Sequence, residues 1–107
     1  MTIAQALSPT GLPCCHPPYI GEAEAYVTYQ LLGQGSVLYA ESQERETGVS
    51  YAVDLYCNEP YVQTMLQVKK ALEEAGYIAT IGLEYYEPEV DRYHIYISAE
   101  KEGALYG

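Results

Sequence analysis

The residue types best suited to chemistry gather near the N-terminus, where Cys14, Cys15 and His16 run directly into Pro17 and Pro18. Thiols and imidazoles are soft-metal ligands, and Cys57 with His94 would complete a tetrahedral set. Zinc sites, however, space their cysteine pairs by two to four residues, and neighbouring side chains in an extended loop point apart. The plainer reading is that one of the two adjacent cysteines packs inward as a small apolar group. No metal and no other cofactor is therefore expected. Nucleophilic catalysis has no better footing, since the chain lacks a Gly-x-Ser-x-Gly elbow. Gly33-Gln34-Gly35 is not followed by the Gly, Lys and Ser or Thr of a phosphate loop. Carboxylates abound, as in Glu44 with Glu46 or Glu87 with Glu89. They lie in solvated runs, whereas an acid–base pair needs surroundings that drive two pKa values apart. The chain is not expected to be an enzyme.

Composition narrows the elements that could position any site. The 107 residues make one domain, and Leu, Ile and Val total only 23, with no Phe or Trp. That fraction is barely above the roughly 20% below which a charged chain tends to stay disordered. The 13 Tyr must supply the missing apolar area, and each buried ring then needs a hydrogen-bond partner or a path to water. Thirteen are more than one small core hides, so some are expected to be exposed or at an interface. Five Lys and Arg against fifteen Asp and Glu give a net charge of −10. Without clustered positive charge, direct binding to nucleic acid or anionic lipid is not expected. No apolar run is long enough to span a membrane, and no secretory signal is visible. Three Cys, two of them adjacent, form no even disulfide framework and suit a reducing compartment.

Patterning predicts an α+β fold: an antiparallel, possibly mixed, sheet of four to five strands with a main helix and a short N-terminal helix on one face. Residues 1–7 read as the short helix with Thr2 as N-cap, and prolines forbid regular pairing over residues 11–21. Strands are predicted at 24–32, 37–40, 49–57, 77–85 and 91–99. The polar segment 41–48 between the second and third should be a projecting hairpin loop. The helix should run over 60–75, opening with Pro60 in its first turn. Val62, Met65, Leu66, Leu72 and Ala75 mark its apolar face, Val68 lies at the margin, and Gly76 is the left-handed cap. The tail from Glu100 should be mobile. If Val27, Val53 and Ile95 face the helix, then Tyr26, Tyr56 and Tyr96 face away from it. Three rings on an otherwise open sheet face make a candidate contact surface. The alternative is that a neighbouring loop covers them.

Several short motifs recur in a telling order: Gly11-Leu12-Pro13, then Tyr26-Val27-Thr28-Tyr29, then the strand Tyr51-Ala52-Val53-Asp54-Leu55-Tyr56. A helix ending Ala71-Leu72-Glu73-Glu74-Ala75-Gly76 follows, then Tyr85-Tyr86-Glu87-Pro88-Glu89 and an alternating strand from Tyr93 to Ile97. In this order the chain resembles the small tail-completion proteins of long-tailed bacteriophages, the tail terminators and tail-to-head joining proteins. The resemblance implies a structural virion protein, made in the host cytoplasm, that forms a ring, usually of six copies. Such a ring caps the tail tube and docks it to the neck. Its partners would be further copies of itself, the tail tube protein and a neck or head-completion protein. Genome DNA would pass through the lumen without specific binding, repelled by negative charge. Glu41, Glu44, Arg45 and Glu46 would project onto an adjacent subunit or partner. A competing reading is a small acidic inhibitor that mimics nucleic acid and occupies a basic groove. Such a mimic should align its carboxylates in a stripe, whereas here they are divided among Glu22, Glu24, the 41–46 segment and the 84–91 segment.

Overall fold

The computed structural model describes residues 2–35 and 48–102. Helix α1 (Ile3–Leu7) is opened by Thr2, as the sequence predicts. The Gln5 N–H donates to Thr2 Oγ1 at 3.1 Å, and the Thr2 N–H donates to Gln5 Oε1 at 2.9 Å. This reciprocal capping box satisfies two N–H groups that have no intrahelical partner. Five residues are too few to hold a helix alone. The segment persists because Ile3, Ala6 and Leu7 are buried in the core.

The remaining elements are β1 (Cys14–Cys15), β2 (Tyr26–Gly35), β3 (Gly48–Cys57), α2 (Val62–Glu74), β4 (Ile78–Glu87) and β5 (Arg92–Glu102). They form a five-stranded sheet in the order β1-β2-β3-β5-β4. The β1–β2 pair is parallel and the others are antiparallel. The α+β expectation holds. Strand β1 corrects the expectation of no pairing over 11–21. Its two residues lie between the prolines, and Pro13 contributes only its carbonyl, which accepts from the Val27 N–H at 2.8 Å. The predicted strand at 37–40 and loop residues 41–47 lie outside the described residues.

One face of the sheet carries the core. Val27, Leu55 and Ile95 stand in one cross-strand row and Val53 and Ile97 in the next, all fully buried. Helix α2 closes this face with Val68, Ala71 and Leu72. The predicted apolar stripe is thus turned: Val68 is central, Met65 and Ala75 only partly buried, and Val62 and Leu66 exposed. Pro60 lies outside the helix, which begins at Val62 after Tyr61. The far end follows the prediction. Gly76 takes φ +98°, the Tyr77 N–H donates to the Leu72 carbonyl at 3.0 Å, and the Gly76 N–H donates to that of Glu73 at 3.0 Å. This is a Schellman closure, with buried Tyr77 as its apolar contact. Lys101 then donates to the Ala75 carbonyl at 3.3 Å, so residues 100–102 belong to β5 and not to a mobile tail.

Candidate functional site

The opposite face of the sheet is aromatic and charged, and four elements build it. Alternation along β2, β3 and β5 turns Tyr26, Tyr56 and His94 to the same side, and the register places them in one row, with Tyr85 of β4 beyond. Tyr26 stacks on Tyr56 with centroids 4.9 Å apart, and Tyr56 stacks on His94 at 4.2 Å. Tyr85 leans on the far side of the His94 ring at 5.0 Å. At the other end, Tyr19 comes from the segment after Pro17-Pro18 and stacks on Tyr26 at 4.1 Å. Its hydroxyl accepts a hydrogen bond from the Ala23 N–H at 3.0 Å, and Gly21 leaves room for it, since a Cβ there would lie 2.2 Å from that oxygen. Five rings therefore cross the sheet from strap to edge.

His94 is the polar centre of this row. Its Nε2 meets Asp54 Oδ1 of β3 at 2.8 Å, and its Nδ1 meets Glu87 Oε1 of β4 at 2.8 Å. The Tyr85 hydroxyl lies 3.0 Å from the same Nδ1. The imidazole side chain is only 12% exposed. Burial works against its charged form, but the hydrogen bonds to Asp54 and Glu87 outweigh that penalty and raise its pKa above the usual histidine value. Both ring nitrogens donate to carboxylates in the imidazolium, so the group ties three strands together and has no free position from which to shuttle a proton. Burial first, and the Asp54 charge second, push the Tyr56 phenol well up.

The three tyrosines proposed from sequence meet different fates here. Tyr26 is 9% exposed, covered by Tyr19. Tyr56 and Tyr96 are half-buried. Tyr96 does not join the ring row. It lies opposite Leu83 and over Gly82, where a Cβ would approach its Cδ2 to 2.7 Å. That glycine marks a register shift in β4, the kind of bulge that sharpens local twist. Glu41, Glu44, Arg45 and Glu46 lie outside the described residues. The sheet separates Cys14 and Cys57 from His94, while Cys15 pairs with Thr28 on the ring face. Cys57 sits in the core and Cys14 packs against it, while His94 is on the other face. Among the described residues no cluster of three or more ligating side chains could hold a metal.

Sequence reasoning missed Asp54, Glu87, Tyr19 and Thr28. Alternation already placed Asp54 and His94 on the side away from the helix. What it could not supply was that β3 pairs with β5 and not with the intervening β4. Beside the row lies a cleft of about 250 Å3, lined by Pro17, Pro18, Tyr19, Tyr26, Thr28 and Tyr56, with Glu87 and Val90 at the β4–β5 end. Among the described residues no helix is long and apolar enough to cross a membrane. No protein-family model matches the chain, and no curated protein matches it either.

Proposed function

We propose that this protein is a structural subunit that assembles with copies of itself into a ring, as a tail terminator or tail-to-head joining protein of a tailed phage. In that role it caps the tail tube, meets the neck and performs no reaction. The supporting observation is the exposed apolar side chains of β4 and α2. Leu83 is 61% exposed and Tyr85 and Tyr86 are also exposed, and α2 adds Val62 and Leu66, each about half exposed. On a helical projection Val62 and Leu66 are centred about 110° away from Gln67, Lys70, Ala71 and Glu74, which border Pro9 and Thr10 beyond α1. Exposed apolar side chains gathered on two neighbouring elements of a small domain favour an interaction site. A ten-residue edge strand with unpaired backbone groups invites a neighbour as well. Half-buried Tyr56 and Tyr96 offer a second surface, whereas Tyr26 under Tyr19 offers little.

The −10 charge opposes association of like copies, so contact must come from these apolar side chains and should strengthen with salt. Native mass spectrometry and sedimentation velocity test the reading. The expected result is a discrete ring, six-fold on the resemblance, favoured at 0.5 M over 0.05 M salt (about 4 Å against 14 Å of screening length). A Leu66→Glu, Leu83→Glu double variant should remain folded by circular dichroism and become monomeric. A wild-type chain that stays monomeric at high concentration in both salts would remove the reading.

A further inference from the structure

We propose that His94 is a proton-operated switch within the subunit. As an imidazolium it holds Glu87 through Nδ1; as a neutral imidazole it releases Glu87 and accepts the Tyr85 hydroxyl at the same nitrogen.

Two side chains of β4 compete for that nitrogen. Glu87 Oε1 lies 2.8 Å from Nδ1 and the Tyr85 hydroxyl 3.0 Å from it. The other ring nitrogen, Nε2, meets Asp54 Oδ1 at 2.8 Å and has no second partner among the described residues. An ionised carboxylate only accepts hydrogen bonds, whereas a phenol can also donate one. The imidazolium has two N–H donors and satisfies both carboxylates. The neutral ring keeps one N–H and gains one lone pair, which a carboxylate oxygen at this distance repels. A lone pair on Nε2 would face Asp54 alone. On Nδ1 it faces the Tyr85 O–H. The neutral ring therefore keeps its proton on Nε2, retains Asp54 and turns to Tyr85. That phenol is 46% exposed, so its hydrogen points to water in one state and swings to Nδ1 in the other.

The surroundings let Glu87 leave. Asp54 and Tyr56 of β3 and Tyr85 and Glu87 of β4 face the ring. Alternation along β5 puts Arg92 and Tyr96 on the same side, and Tyr26 of β2 lies beyond Tyr56. Arg92 stands opposite Glu87 across the β4–β5 pair, so the released carboxylate has a positive charge beside it. The Tyr56 phenol, pushed far up by burial, stays protonated throughout. Hydrogen bonds from the two carboxylates favour the imidazolium, which sets the exchange above pH 6.5. When the proton leaves, β4 passes from a charge-assisted hydrogen bond to a weaker neutral one. Glu87 also lines the cleft beneath the Pro17-Pro18-Tyr19 strap, so that end of the cleft changes from an engaged to a free carboxylate.

The test uses the full chain with 15N-labelled histidine rings, followed by long-range 1H–15N correlations from pH 5 to pH 9, with His16→Asn to tell the two histidines apart. Neutral His94 should carry its proton on Nε2, and the Glu87 carboxyl 13C shift should move with the His94 midpoint. Tyr85→Phe keeps the ring and removes the donor to the neutral form, so it should raise the midpoint by about 0.3–1 pH unit. Glu87→Gln removes the competing carboxylate and should lower it by about 1 pH unit. A neutral ring protonated on Nδ1 would overturn the proposal, as would a Tyr85→Phe midpoint that stays in place or falls. A merely structural Tyr85 would alter stability and leave the midpoint unmoved. If Glu87→Gln fails to fold, the wild-type tautomer and the sign of the Tyr85→Phe change still decide.

Discussion

The two faces of this sheet are cut from the same strands and held in opposite ways. On the helix side, Val27, Val53, Leu55, Ile95 and Ile97 are sealed under α1 and α2 by burial that has no preferred direction. On the other side, alternate residues of the same strands place Tyr26, Tyr56, His94, Asp54 and Glu87, where ring stacking and charged hydrogen bonds do the holding. The division follows from supply. With aliphatic residues scarce and no Phe or Trp, one face takes the branched side chains, and the hydroxylated rings must cover the rest. Of the eleven described tyrosines only Tyr26 and Tyr77 are buried. The contrast implies that the helix face should be indifferent to pH and sensitive to volume, and the aromatic face the reverse.

The largest effect should come from the helix face. Leu55 is fully buried in the middle of its row, so Leu55→Ala should lower unfolding free energy by about 2–5 kcal/mol, through lost transfer energy and the cavity left behind. Urea denaturation measures it, and the loss should be the same at pH 6 and pH 9, since no titrating group touches the argument. A loss under about 1 kcal/mol, or one that varies with pH, would erase the distinction between the faces.

On the aromatic face the corresponding variant is His94→Gln. It should cost about 1–3 kcal/mol at pH 6, the order expected when hydrogen bonds between a charged group and its buried partners are lost. The pH dependence carries the sign. Because the folded pKa of His94 is raised above the ordinary 6.5, its contribution is complete below about pH 6.5 and disappears as pH rises through the raised value. Wild-type stability should therefore fall from pH 6 towards pH 9, and His94→Gln should remove that fall. The other groups facing the ring are Asp54 and Tyr56 of β3 and Glu87 and Tyr85 of β4. The Tyr56 phenol is pushed up by burial and does not titrate in this window. A wild-type curve that rises with pH over the same range would contradict the clasp.

How legible each face was differs for physical reasons. Local signals were sufficient where structure is local: Thr2 at the start of α1, strict alternation over Tyr51 to Cys57, and Gly76 at positive φ. They failed where distant contacts decide. The α2 stripe was turned because Val62 and Leu66 are as apolar as Val68, and only the position of α1 determines which flank is covered. Pairing of β1 could not be read through its prolines, since the bond it needs uses the Pro13 carbonyl. The His94 cluster draws on residues 33 to 40 positions apart for Asp54 and on a strand order that skips β4. Alternation assigns a residue to a face, but it does not say which strand lies next to it.

The smallest effect tests whether the aromatic face closes on itself. Tyr19 contributes a stacked ring over Tyr26 and one accepted hydrogen bond from Ala23, on a segment that is otherwise largely exposed. Tyr19→Phe keeps the stack and frees an N–H that water can reach, so it should change stability by no more than about 0.5–1 kcal/mol. Tyr19→Leu removes the ring pair too, and the additional loss should be about 0.5–1.5 kcal/mol. The two substitutions should separate in a second readout: only Tyr19→Leu should shift the tyrosine second-derivative absorbance towards solvent exposure, because only it uncovers Tyr26. If Tyr19→Leu leaves both stability and Tyr26 exposure unchanged, the strap does not seal the row. Tyr26 would then join Tyr56 and Tyr96 as open surface available to a neighbouring molecule, and the two faces would differ in accessibility more than in the forces that hold them.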